Sequence, residues 1–304
     1  MSVNISREKG TIKLPVAKIF IDSMGVSGDA HAGNWHRQVS LLGVESVEKF
    51  SREAGRRIAF GEFAENITTQ GIELYHTRPL DRFVIGSAEL EVTQIGKKCH
   101  GDNCAIFREV GNCVMPKEGI FCRVIREGEV VPGMELVYKP KVFDIRIITL
   151  SDRASKGEYE DRSGPKIKEL VSDYMNGLGW KFSIVNEIIP DDKEMLAARL
   201  AKIRDEKADF IFTSGGTGIG LRDITPDVAR KFFDKEIPGI MDMIRLKYGA
   251  DMPAALTSRA VAGVMGQTLV FTLPGSVKAV TEYLAEITRH LRHLVNMLHG
   301  IDEH

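Results

Sequence analysis

The chain has 304 residues, 43% of them hydrophobic, with 41 basic and 42 acidic residues and a formal net charge of -1. That length and apolar content suffice for two packed domains and argue against disorder. Up to Pro140 there are 18 basic and 18 acidic residues, with 23 and 24 beyond it, so neither half has the basic excess of a nucleic-acid binder.

Met1 to Pro15 alternates polar and charged residues without the apolar centre of a signal sequence. No apolar run approaches membrane-spanning length. A soluble, cytoplasmic protein with no membrane and no nucleic-acid partner is expected. The four cysteines, Cys99, Cys104, Cys113 and Cys122, all fall in one window. A cytosolic chain of this size needs no disulfides, so free thiols are expected.

The first half reads as β-rich. A helix is expected from Val44 to about Ala54, ended by Gly55. Glu89 to Ile95 alternates apolar and polar residues, the period of a half-buried strand. Ile120–Ile125 and Val130–Val131 flank Arg126-Glu127-Gly128-Glu129, which predicts a hairpin. Met134 to Tyr138 adds a further strand. Short strands at regular spacing suggest a barrel.

The residues able to do chemistry here are His31, His36, Arg37, Cys99 and His100. Lys97, Lys98 and His100 flank Cys99, and neighbouring cations favour the thiolate. A packed, inert thiol is the alternative for Cys99, and the expected state of the other three cysteines. Zinc would require paired ligands such as Cys-x-x-Cys, and no such pair occurs. Gly28-Asp29-Ala30-His31, His36-Arg37-Gln38-Val39-Ser40, Glu62-Phe63-Ala64-Glu65-Asn66-Ile67 and Gln94-Ile95-Gly96-Lys97-Lys98-Cys99-His100 arrive in an order that resembles the MOSC domain family over about Ile5 to Val137. The resemblance implies a β-barrel that handles a molybdenum or tungsten cofactor, or its sulfur. It gives that role to Cys99, with His31 and Arg37 beside it.

Lys139-Pro140-Lys141 is short, polar and proline-bearing, which sets the expected domains at 1–140 and 141–304. Strands and helices alternate beyond it. Asp144–Leu150, Phe182–Ile189, Phe210–Thr213 and Thr268–Leu273 read as strands. Ser163-Gly164-Pro165 opens a helix ended by Asn176-Gly177, Asp191-Asp192 leads a second, and others start near Pro226 and Gly239. The last carries Val277, Val280, Leu284, Ile287, Leu291, Leu294 and Leu298 as one apolar stripe. This pattern predicts an α/β, doubly wound, mostly parallel sheet.

In such sheets ligands sit beyond the carboxyl ends of the strands. Ser151, Asp191, the glycine loop with Asp223, and Pro274-Gly275-Ser276 all follow strand ends. They should converge on one rim. The glycine loop, Ser214-Gly215-Gly216-Thr217-Gly218, is neither a P-loop, since no Lys follows, nor a dinucleotide fingerprint, since Leu221 takes the third glycine position. Its glycines permit a sharp turn and close ligand approach. Thr225 as N-cap, with Pro226 after it, would point free amides at an anion. Carboxylates beside a bound phosphate are unfavourable: at 4 Å the repulsion is about 4 kcal/mol at a surface-like dielectric. A divalent cation reverses the sign, which predicts Mg²⁺ on Asp191 and Asp223. Capping of the following helix is the competing role for Asp191.

The glycine loop with Arg222-Asp223-Ile224-Thr225-Pro226-Asp227, together with Leu150-Ser151-Asp152-Arg153-Ala154-Ser155, Asp161-Arg162-Ser163-Gly164-Pro165, Ile188-Ile189-Pro190-Asp191-Asp192, Ser258-Arg259 and Pro274-Gly275-Ser276, closely resembles the molybdopterin adenylyltransferase family from Phe143 to about Leu298. The resemblance implies adenylylation of molybdopterin by ATP with release of pyrophosphate. Asp191 and Asp223 would be the catalytic, Mg²⁺-binding acids. Ser151, Asp161, Gly215, Gly216, Thr217, Gly218, Asp227, Gly275 and Ser276 would be nucleotide or pterin contacts. It also implies a homo-oligomer, trimer or hexamer, with cofactor-inserting proteins or molybdoenzymes as partners. A non-catalytic pterin carrier is the other reading of this half, and a separate sulfur- or N-hydroxyl-directed enzyme the other reading of the first.

Overall fold

The computed structural model describes residues 2–97 and 114–301. The chain forms two compact units. One comprises the described residues up to Lys141 together with Gly300 and Ile301; the other is Val142–His299.

The N-terminal unit contains strands β1 (Ser2–Ile5), β2 (Leu14–Val16), β3 (Ile19–Asp22), β4 (Gly25–Val26), β5 (Val39–Gly43), β6 (Ile67–Thr69), β7 (Arg82–Ile85), β8 (Ala88–Ile95), β9 (Ile120–Arg126), β10 (Gly128–Val130) and β11 (Leu136–Lys139). Eight of them form one sheet in the order β11-β7-β8-β9-β5-β6-β1-β2, and β10-β3-β4 form another. Among the described residues only β5 and β6 pair in parallel in the larger sheet. Ile19, Ile21, Val26 and Val130 of the small sheet share a core with Leu41, Phe83, Leu90, Val92 and Ile120 of the large one. Among the described residues β11 and β2 do not pair, so the expected barrel stands as two sheets closed over one core.

Helix α1 (Val44–Ala54) ends where the sequence ends it: Gly55 adopts φ 66°, the left-handed C-cap open to glycine. The expected hairpin between β9 and β10 does not form. β10 pairs instead with β3. A Cβ on Gly128 would lie 2.4 Å from Ser87 Oγ and 2.5 Å from the Ala88 amide. The glycine serves a close backbone crossing, not a turn.

The second unit has one six-stranded sheet, made of β12 (Val142–Leu150), β13 (Lys181–Ile189), β14 (Phe210–Ser214), β15 (Lys235–Glu236), β16 (Ala262–Met265) and β17 (Thr268–Leu273), in the order β13-β12-β14-β17-β16-β15. The first four are parallel neighbours; β16 and β15 add an antiparallel edge. That edge was not anticipated. Gly263 breaks the apolar pattern of β16, and its missing Cβ leaves room for the Phe233 ring, 2.3 Å from where a Cβ would stand.

Both faces of the parallel strands are covered. Ile148, Leu150, Ile211 and Val270 pack with Leu196, Leu200 and Ile203 of α3 (Lys193–Glu206). The alternate residues Phe143, Phe210, Phe212 and Phe271 line up ring to ring, with centroids 5.4–6.4 Å apart. Helix α5 (Val277–Leu298) packs against α2 (Ser163–Gly177) and α4 (Pro238–Gly249), and the Tyr174 hydroxyl accepts the Arg292 amide. Val280, Leu284, Ile287 and Leu291 are buried, so the stripe of α5 is spent inside this unit. Among the described residues no helix is long and apolar enough to cross a membrane.

Candidate active site

Four segments meet at the carboxyl ends of the parallel strands. The Ser151 amide donates to Ile189 O (2.9 Å), and Gly215 N–H donates to Leu273 O (3.0 Å). Ser214 Oγ donates to Pro274 O. A Cβ on Gly275 would lie 3.5 Å from Gly215 Cα, and one on Gly215 only 2.4 Å from Leu150 O. Gly215 and Gly216 also adopt φ 99° and 64°. Glycine is required there by conformation and by close approach together.

The two acids expected to act stand in different settings. Asp192, not Asp191, caps α3, accepting the Met195 amide at 2.7 Å. Asp191 is thereby left to the rim. Its carboxylate accepts the Asp152 amide, and its own amide donates to the Asp152 carboxylate, each at 3.1 Å. Burial pushes the Asp191 carboxyl above its usual value, and repulsion from Asp152 and Asp223 adds to this; the Asp152 amide and Arg222 pull the other way. Asp223 accepts the Gly220 amide at 2.7 Å. Asp191 and Asp223 each keep one carboxylate oxygen without a hydrogen bond among the described residues.

The glycine loop is held from behind. Thr225 donates its hydroxyl to Gly215 O (2.9 Å) and its amide to Gly216 O (3.1 Å). It is therefore not an N-cap: the short helix Thr225–Ala229 begins on it, and its hydroxyl is turned toward the loop. The amides of Gly216, Thr217, Gly218 and Ile219 have no partner among the described residues. Unpartnered successive amides beside a tight turn form an anion cradle.

Arg259 closes the loop from the other side. Its guanidinium donates to Gly218 O (2.7 Å), Asp223 O (2.5 Å) and both oxygens of Asp227 (2.8 and 3.0 Å). Asp227 is thus engaged by an arginine fork. Asp161 is engaged as well, accepting the Ser163 and Gly164 amides and the hydroxyls of Ser163 and Thr149. Ser151 and Ser276 cap the helices that follow them, accepting from Ala154 and Ala279. The rim therefore brings together Ser151, Asp191, the glycine loop with Asp223 and Pro274-Gly275-Ser276, while Asp161 and Asp227 are each hydrogen-bonded within the protein. Asp152, Arg222 and Arg259 were missed as site residues. The signal was present in Ser151-Asp152 and Ser258-Arg259, but nothing in the linear pattern says what they touch.

The donor set suits a hard cation. Among the described residues no three His, Cys, Asp or Glu side chains form a metal cage. Mg²⁺ does not need one, since it is commonly held by one or two carboxylates and the phosphates of its substrate.

In the N-terminal unit, Asp29 and Lys13 form a buried ion pair, both side chains 1% exposed, with Lys13 Nζ 2.8 Å from each Asp29 oxygen. Asp29 also accepts the Ser6 and His31 amides and the Asn66 side chain, and lies 3.3 Å from His31 Nδ1. Burial alone would raise the Asp29 carboxyl; His31 and Lys13 outweigh it and hold it well below the usual range. Arg37 lies over the Trp35 ring, 4.8 Å from its centroid. Cys99, His100, Cys104 and Cys113 lie outside the described residues. Cys122 is fully buried, and burial together with Glu91 pushes its thiol well up, as an inert core cysteine requires. A cavity of about 950 Å³ opens in this unit against α1, lined in part by Val47, Arg52, Ile58 and Phe60.

The second half is an α/β domain with a glycine loop of unpartnered amides and two adjoining carboxylates at its strand ends, in a chain whose first half is a β-rich unit. Comparison with known proteins names both. Residues 146–293 match the probable molybdopterin binding domain, and residues 28–137 match the MOSC domain. The second half is 37% identical over 158 residues to the molybdopterin adenylyltransferase of Helicobacter pylori strain J99, covering 51% of this chain and 88% of that protein. It is 40% identical over 162 residues to that of Pyrococcus furiosus, covering 51% and 91%. It is 31% identical to gephyrin of Dictyostelium discoideum, over 53% of this chain and 23% of that protein. The chain belongs to the molybdopterin adenylyltransferase family through its second half and carries a MOSC domain in its first.

Proposed function

We propose that the second half adenylylates molybdopterin, using ATP and releasing pyrophosphate. The reading rests above all on the meeting of the unpartnered Gly216–Ile219 amides with Asp191 and Asp223 at one rim. The amides would hold phosphate oxygens of the nucleotide. Asp191 and Asp223 would hold Mg²⁺, which when bound neutralises the phosphates. Thr225 and Arg259 keep the loop in shape, so that little reorganisation accompanies the reaction. The terminal phosphate of the pterin attacks the α-phosphorus of ATP, a new P–O bond forms, and the bond to pyrophosphate breaks. Alignment and charge neutralisation are the main contributions a protein can make to such a transfer. The MOSC half would handle the cofactor or its sulfur through Cys99.

The test is turnover of molybdopterin, ATP and Mg²⁺ by the purified chain. Adenylylated pterin and pyrophosphate should appear, and Asp223→Asn should remove most of both while leaving the fold intact. Wild-type turnover in that variant would reject the assignment. Pterin binding without ATP consumption would favour a carrier.

A further inference from the structure

We propose that Arg222 is a phosphate-binding residue held by Asp152, which exchanges Asp152 for the nucleotide phosphates when metal and nucleotide bind. The inference rests on the adenylyltransferase reading above and adds a residue and an order of events to it.

Three observations carry it. First, Arg222 makes an ion pair with Asp152, whose carboxylate and amide are locked to Asp191. It thereby stands beside Asp191, whose carboxylate accepts the Asp152 amide. The other nearby arginine, Arg259, is committed to Asp227 and to two loop carbonyls. Arg222 thus offsets the negative charge of the joined Asp152 and Asp191 carboxylates. A divalent cation at the same carboxylates would repel it and make it redundant there.

Second, Arg222 belongs to the loop that carries the unpartnered amides. Its side chain is 64% exposed, with guanidinium N–H groups to spare beyond the Asp152 contact. A planar fork of donors suits phosphate oxygens, and a guanidinium released from Asp152 remains beside the cradle.

Third, the backbone that carries Arg222 is held while the side chains beside it are not packed. Ile219 and Leu221 are 82% and 99% exposed, and the Asp223 amide donates to Gly220 O at 3.0 Å, closing a turn over Arg222. Asp223 behind them is held by the Gly220 amide, and Arg259 fixes the Gly218 and Asp223 carbonyls. Arg222 can change partner without disturbing the acid next to it.

The test uses the full chain with Mn²⁺ as the probe, followed by the EPR signal of free Mn²⁺, with and without α,β-methylene-ATP. Arg222→Ala should bind Mn²⁺ alone severalfold more tightly than wild type. In the presence of Mn²⁺ it should bind the analogue about tenfold more weakly, the loss expected for one hydrogen-bonded charge. Arg222→Lys, which keeps the charge but not the fork, should fall between. If Arg222→Ala changes neither affinity, or weakens Mn²⁺ binding in the absence of nucleotide, the exchange is wrong while the carboxylate reading stands. If Asp223→Asn leaves wild-type Mn²⁺ and analogue binding intact, the carboxylate reading itself fails, and the exchange with it.

Discussion

Asp152 and Asp191 hold each other. Each donates its backbone amide to the other's carboxylate at 3.1 Å, across 39 residues of sequence. The exchange joins the end of β12 to the end of β13 and aims a carboxylate that no other hydrogen bond fixes. Asp152→Ala keeps the amide that aims this carboxylate but removes the acceptor that holds the Asp191 backbone, and should lower kcat by up to about 10²-fold, the cost of misplacing a group at the site by an ångström. Adenylylation kinetics check this; a variant with unchanged kcat would make Asp152 a bystander.

The ionised form of Asp191 is disfavoured in the folded, ligand-free protein, because its carboxyl lies above the usual value. Below the unfolded pKa the group is protonated in both states and contributes nothing. As pH rises through the raised folded value, stability is lost, and the loss persists at neutral pH. Asp191→Asn should thus raise the melting temperature of the ligand-free protein at pH 7, with the gain shrinking as pH falls toward 4. Thermal melts across pH decide it. A gain that grew in acid would reverse the sign of the argument.

Two glycines of one loop should fail in opposite ways. A Cβ on Gly218 meets Asp223 Oδ2 at 2.7 Å, a side-chain atom that can swing away. Gly218→Ala should keep the fold and lose turnover. A Cβ on Gly215 meets the Leu150 carbonyl at 2.4 Å, and the residue sits at φ 99°. Gly215→Ala should destabilise the domain by about 1–3 kcal/mol or more, the usual range for backbone strain. Urea unfolding alongside turnover separates the two, and equal behaviour in both assays would refute the distinction.

Lys13→Met would leave Asp29 charged and buried beside Asn66 and His31. A loss of about 3–5 kcal/mol is expected, as for other buried pairs broken from one side. Asp29→Asn together with Lys13→Met should recover part of it, since the uncompensated charge is gone. Chemical denaturation of the three proteins provides the comparison; a double variant no better than Lys13→Met alone would show that packing, not charge, sets the cost.

Much of this molecule was legible in one dimension. Hydrophobic periodicity located β12, β13, β14 and β17 and the apolar stripe of α5, because burial on a sheet or helix imposes its own period. Gly55 marked the end of α1 because only glycine takes that φ cheaply. The rim was legible because parallel strands flanked by helices put successive loops at one end. Asp191 and Asp223 could be chosen for that reason, and the family motifs around them agree.

Other features depended on contacts that the order of residues does not encode. Gly128 looked like a turn residue and is a crossing point. Thr225 looked like a cap and instead braces Gly215. That Asp161 is held by the start of α2 and Asp227 by Arg259 was not legible either. Asp152, Arg222, Arg259 and the Lys13–Asp29 pair could be found only in space. The sequence by itself determined the parallel strands and covering helices of the second half, and which loops share an end of the sheet, because those follow from local period and chain direction. Only the tertiary structure decided which polar groups satisfy one another and which are left for a ligand, because a hydrogen bond joins residues by position in space, however far apart they stand in the chain.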